Sequence, residues 1–189
     1  TQNADRMRVK LYRQVQDDDE LRVVYRYRLQ GVVTNYADTA ELNWKVIGSG
    51  WDVALDNVKI VIQLPAKNVS ALQAWTHGPL SGQTKVDRAA GRVTMTLGHN
   101  PANQFVESHL LFPTTVTATN TRTSTVKRKA TVQKQEAKLA QAANEKRRHN
   151  QLLRRGLFGV AVVVWLLVMI GYAWWLARHP AKRHQQPIP

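Results

Sequence analysis

GLFGVAVVVWLLVMIGYAWWLA, residues 156–177, runs for 22 positions without a charge. As a helix rising about 1.5 Å per residue it covers roughly 33 Å, enough for a hydrocarbon core of about 30 Å with some tilt. Helices of globular cores are rarely apolar on every face over such a length. A signal peptide would have a shorter apolar run, lie at the N-terminus and end in small residues. Residues 156–177 therefore read as a transmembrane helix. Arg154 and Arg155 close one end, Arg178, Lys182 and Arg183 the other. Tyr172, Trp174 and Trp175 stand where an aromatic belt meets the headgroups.

Working outward toward the N-terminus, residues 130–155 are rich in Gln, Glu, Lys, Ala and Leu and free of Gly and Pro. They read as a juxtamembrane helix that continues into the span. A heptad seam over this run would carry Lys146 beside Glu136, Ala143 and Asn150, a poor coiled coil. Gly156 and Gly159 are three apart rather than four, which is not the small-residue dimer spacing. Residues 114–125, TTVTATNTRTST, suit an extended connector, so 114–129 reads as a Thr-rich basic linker. Residues 178–189 form a basic tail.

The first 113 residues alternate at the period of strands. Residues 6–16 place Met7, Val9 and Leu11 against Arg8, Lys10 and Tyr12. Residues 21–30 place Leu21, Val23, Tyr25, Tyr27 and Leu29 against Arg22, Arg26, Arg28 and Gln30, so the two runs form a candidate hairpin. The acidic residues 17–20 between them fit a solvated turn better than a calcium loop, which needs alternating oxygen ligands and a turn glycine. Further strands are expected over 40–47, ending at Gly48-Ser49-Gly50, and over 58–64, 70–77, 92–97 and 105–112. Short strands at this spacing imply an antiparallel β-sandwich of immunoglobulin-like kind, with Val23, Tyr25, Val58, Ile60 and Ile62 as core positions. Trp44, Trp51 and Trp75 are expected in the core rather than stacked on sugars.

Charge and composition narrow the partners. The chain carries 27 Lys and Arg against 13 Asp and Glu, a net charge of +14. Residues 1–132 hold 17 basic and 11 acidic side chains, and residues 133–189 hold 10 and 2. The membrane-proximal part is the basic one, and each such residue near an anionic surface favours binding by about 1 kcal/mol. The lipid bilayer is therefore the first partner, and no nucleic acid is expected. There is no cysteine, hence no disulfide and no thiolate nucleophile.

Catalytic constellations are thin. His77 and His109 lie on different expected strands, with Asp38, Glu41 and Glu107 as nearby carboxylates, but no two histidines stand at metal-ligand spacing. Each histidine reads as a solitary surface residue. Asp38 and Glu41, around Thr39 and Ala40, read as a turn that bonds backbone N–H groups rather than a metal. No cofactor, metal or catalytic residue is expected, and the chain reads as a non-enzyme. The best candidate binding surface is Arg22, Arg26 and Arg28. On one strand face they would lie about 7 to 13 Å apart and meet successive carboxylates or phosphates.

Tyr25 to Tyr27, GVVTNYADTAELNWKVIGSGWDV over 31–53, NVKIVIQLP ending at Pro65 and ESHLLFP ending at Pro113 carry a resemblance. They look like the N-terminal region of an uncharacterised bacterial membrane-protein family, domain of unknown function 2207. The resemblance covers about residues 21–155 and includes Glu136, Ala142, Ala143 and Asn144 on the helix before the span. It implies an extracytoplasmic β-sandwich held at the cell membrane, without assigned activity and without catalytic residues. Members have a signal peptide and an opening strand before this chain's first residue, and a large cytoplasmic part after the span, so both ends are expected to be cut. The expected role is binding, with an envelope polymer or a membrane protein as partner. The flanking charge points the other way. Lys146, Arg147, Arg148, Arg154 and Arg155 outnumber the basic residues after the span, which favours a cytoplasmic domain. Large domains translocate largely regardless of such charge, so the resemblance decides the expected orientation.

Overall fold

A computed structural model of the chain describes residues 2–3, 6–7, 12, 14, 16 and 20–178. It divides into two units, Thr1–Gln30 and Gly31–Pro189. In the first, β1 (Gln2–Asn3) pairs antiparallel with β2 (Arg6–Met7), Gln2 facing Met7. Residues 21–30 form no strand, and Leu21, Val23, Val24, Tyr25, Tyr27 and Leu29 are exposed. This corrects the expected hairpin strand and the placing of Val23 and Tyr25 in the core. Alternation becomes a strand only where a neighbour takes its backbone N–H and C=O groups. Most of the expected partner run, 6–16, lies outside the described residues, as do Asp17, Asp18, Asp19 and the tail from 179.

The second unit contains seven strands in two antiparallel sheets. β3 (Val33–Asn35), β4 (Ala40–Ile47), β9 (Val106–Phe112) and β6 (Gln73–His77) form one, in the order β3-β4-β9-β6. β5 (Leu55–Gln63), β8 (Arg92–Asn100) and β7 (Gln83–Asp87) form the other, in the order β5-β8-β7. The run 40–47, expected as a strand ending at the Gly48-Ser49-Gly50 turn, is one. Strand β7, with Val86 as its one large apolar side chain, has no alternation to announce it and lies at a sheet edge.

Both sheets feed one apolar cluster. Ala40 from β4, Val93 and Met95 from β8, and Leu110 and Phe112 from β9 are buried there with Leu64, Val69 and Leu72. Ile60 and Ile62 of β5 pack against it half-buried. Each Val, Leu, Met or Phe side chain fully removed from water there stabilises the fold by about 1.5–3 kcal/mol. Trp44 and Trp51 are exposed instead, which corrects their assignment to the core, and Trp75 is half-buried.

The segment after β9 is stitched to β3 rather than loosely extended. A 3-10 turn spans Thr114–Thr117. The Asn35 amide donates to the Thr117 carbonyl (2.8 Å) and accepts from the Thr117 hydroxyl (2.7 Å). Asn35 and Thr123 then form a parallel bridge, with Asn35 N–H donating to Arg122 O and Ser124 N–H to Asn35 O. From there α1 (Lys129–Arg178) runs 50 residues without a break, about 75 Å at 1.5 Å per residue. Its most apolar window has a mean hydropathy of 2.3 and no buried residue, and α1 is long and apolar enough to cross a membrane.

Candidate functional site

The sheet β3-β4-β9-β6 has two covered faces, and β9 is buried on both of them. In the register Asn43 lies opposite His109 on one side, Trp75 opposite it on the other, and Glu41 opposite Leu111. Cross-strand partners share a face, and so do residues two apart on a strand. Glu41, His77 and His109 therefore project from the same side, away from the face that carries Ala40, Leu110 and Phe112. The first turns of α1 cover that side. Val132 is fully buried, and Glu136, one helical turn on, lies over the two histidines.

His109 sits between two carboxylates. Its Nδ1 lies 2.6 Å from Glu136 Oε1 and its Nε2 2.8 Å from Glu41 Oε1. His77 Nε2 reaches the same Glu136 oxygen at 3.2 Å. The side chains of His109, Glu41 and Glu136 are only 5%, 7% and 4% exposed. Each ring nitrogen of His109 therefore has a carboxylate oxygen within hydrogen-bond distance, to which an N–H at that position would donate. Arg128 completes the group: its Nε donates to Glu41 Oε2 at 3.1 Å, and its guanidinium lies over the Tyr36 ring. That bond to Glu41 is the first cause of a raised Arg128 pKa. Arg128, His109 and His77 thus surround the Glu41 and Glu136 carboxylates, the kind of partnering that a buried carboxylate needs. One atom is left over: Glu136 Oε2 is buried with no hydrogen-bond partner among the described residues.

The start of α1 is fixed by the same corner of the sheet. Asp38, between β3 and β4, accepts the backbone N–H groups of Arg128 (2.8 Å) and Lys129 (3.3 Å) through Oδ1. It satisfies donors that no residue inside the helix can take. The Arg128 bond is the first cause of a lowered Asp38 pKa; partial desolvation opposes it and the Lys129 bond adds to it. Gln133 donates to Gln73 of β6 at 3.0 Å, and Arg147 Nε donates to Leu80 O at 3.1 Å, so α1 stays attached from 129 to 147. Between α1 and β6 lies a groove of about 220 Å³, lined in part by Thr76, His77, Thr84, Glu136, Ala140 and Arg147.

The two histidines read as solitary surface residues are thus neighbours, and His109 is a core residue. β6 and β9 are 28 residues apart in the chain, and only their pairing brings His77 beside His109. The signal that could have found the site is Glu136, an acid on the helix face that also carries Val132. Of the carboxylates considered, Glu41 joins the histidines, Asp38 goes to the helix start, and Glu107 pairs in register with Lys45 and His77 on the sheet. The candidate surface of Arg22, Arg26 and Arg28 lies exposed in the first unit, and the strand assumed for it is absent there. Arg154 and Arg155 are exposed on α1. Near its end Tyr172 stacks on Trp175 at 6.1 Å, and the Arg178 guanidinium lies 4.0 Å from the Trp174 ring centre.

No curated protein and no solved structure matches the chain. The family described as "Predicted membrane protein (DUF2207) N-terminal domain" matches residues 1–112, which end at the last residue of β9. With more than half of its length matched, and a helix able to cross a bilayer following directly, the chain belongs to the DUF2207 family of predicted membrane proteins.

Proposed function

We propose that this chain is a membrane-anchored binding module of the bacterial cell envelope, its β-domain on the extracytoplasmic side, working by binding rather than by catalysis. The observation that carries this reading is the join between domain and span. One helix is both a cover of the sheet and the apolar segment. Gly156 lies nine positions beyond Arg147, the last of the described residues on α1 seen bonded to the β-domain, a distance of about 14 Å along the helix. A domain braced so near a bilayer is suited to holding a partner at that surface. An anionic envelope polymer or another membrane protein fits the excess of basic residues.

Arg22, Arg26 and Arg28 remain the proposed contact, as three exposed cations within seven positions of a segment with no strand of its own. Exposed charges of this kind act over roughly 8–10 Å at physiological salt. The experiment is a change of all three to Gln in the full chain in lipid nanodiscs, followed by binding to isolated envelope material at rising salt. Binding that weakens with the change and loses its salt dependence supports the contact. Equal binding before and after refutes it.

A second reading has its own observation. Lys146, Arg147, Arg148, Arg154 and Arg155 precede the span, the pattern of a cytoplasmic flank, and would place a basic domain on anionic lipid or nucleic acid. Against it, Arg147 is already engaged with Leu80 O and with Asn144 Oδ1 (3.1 Å), so part of that charge serves the fold.

A further inference from the structure

We propose that His77, His109 and Glu136 form a binding site for a divalent transition-metal ion of the zinc class, which would tie α1 to β6 and β9. His77 Nε2 and His109 Nδ1 both face the Glu136 carboxylate, and one donor atom from each of the three residues falls within 4.8 Å of the others. Metal–ligand bonds of about 2.0–2.2 Å in a tetrahedron set donor atoms about 3.3 Å apart, so a small rotation of Glu136 opens the required space. The independent observation is Glu136 Oε2, which is buried and unpartnered although an ionised carboxylate oxygen is a strong acceptor. A cation satisfies it.

The surroundings match what a metal-bound histidine needs. His109 turns its other nitrogen to Glu41 at 2.8 Å, and Glu41 is held in turn by Arg128 at 3.1 Å. A carboxylate on the far ring nitrogen fixes the tautomer and raises the basicity of the ligating one. The ion takes the place of the proton on His109 Nδ1, leaving the ring neutral with Nε2–H donating to Glu41. Two imidazoles and a carboxylate leave a fourth position, the arrangement of open rather than closed zinc sites. The groove beside His77 and Glu136 supplies both the access route and room for water or a small oxygen ligand there. This inference goes beyond the binding role and does not depend on which side of the membrane the domain faces.

The test is a cobalt(II) titration of the full chain, purified in detergent and stripped with a chelator. The expected result is a set of four-coordinate cobalt bands that saturates at one ion per chain and is displaced by zinc. His77→Ala and Glu136→Gln should abolish the bands. Glu41→Gln should weaken the affinity by about 10- to 100-fold. His99→Ala, which removes a separate exposed pair with Asp56, should leave them unchanged. Circular dichroism confirms that each variant is folded. His77 is the partly exposed member of the set, and its loss should leave the fold intact. The absence of bands in the unaltered chain overturns the proposal, and bands that persist in His77→Ala do so too. Either result makes the cluster a buried ion-pair network alone.

Discussion

Gly91 closes the hairpin between β7 and β8 at a φ of 62°, and a Cβ placed there would stand 2.0 Å from the carbonyl oxygen of Ala66. That oxygen belongs to backbone, and Gly91 O also accepts the Leu64 N–H (2.9 Å), so neither side can yield cheaply. Backbone strain and overpacking cost about 1–3 kcal/mol each. Gly91→Ala should therefore destabilise the domain by about 3 kcal/mol in a denaturant melt. Gly48→Ala, where nothing lies within 4 Å, should shift it by no more than about 0.5 kcal/mol. Equal effects at the two positions would contradict the role given to Gly91. As a residue type, glycine suits any turn. The particular constraint on Gly91 comes from Ala66, a contact 25 positions away that no local pattern encodes. The same holds for His109: nothing in ESHLLFP says that its ring faces two carboxylates from β4 and α1.

At the scale of elements, helix α1 was legible almost to its bounds because residues 130–155 contain no Gly or Pro and 156–177 no charge, and β4 because its eight residues end at a glycine turn. Strand β7 was not, since an edge strand needs few apolar residues. The run 21–30 misled for the opposite reason: its alternation is clear, but no partner strand pairs with it among the described residues. What the sequence could not indicate is that α1 begins inside the domain, capped by an aspartate 90 positions earlier. That cap makes an acid-side prediction. Asp38 has a folded pKa below its ordinary 3.8, so its ionised form stabilises the native state above that pH, and the contribution is lost as pH falls below it. Asp38→Asn keeps the acceptor oxygen and removes the charge. The difference in Tm between the native chain and this variant should be constant above about pH 5 and shrink below pH 3.8. A difference that stays unchanged down to pH 2.5 would show that the carboxylate charge does nothing for the helix start.

At the scale of the whole molecule, the apolar run of α1 and the β-domain account for each other. Among the described residues the apolar run has no buried side chain, whereas Val132 and Glu136 in the first turns of α1 are buried against the sheet, so one end of the helix suits a bilayer and the other a folded domain. Burying a 22-residue apolar helix in lipid also fixes which residues lie next to the headgroups, Arg154 and Arg155 on the domain side and the Tyr172, Trp174 and Trp175 group on the other. The direction in which the helix crosses is the claim on which the binding role rests. The chain has no cysteine, so Ser49→Cys in the exposed turn after β4 creates a single labelling site. Intact cells that express this variant are treated with a membrane-impermeant maleimide, and the labelled fraction is compared with that obtained after lysis. An extracytoplasmic domain predicts near-complete labelling of intact cells, with no further gain on lysis. Labelling that occurs only after lysis would contradict it and put the β-domain in the cytoplasm.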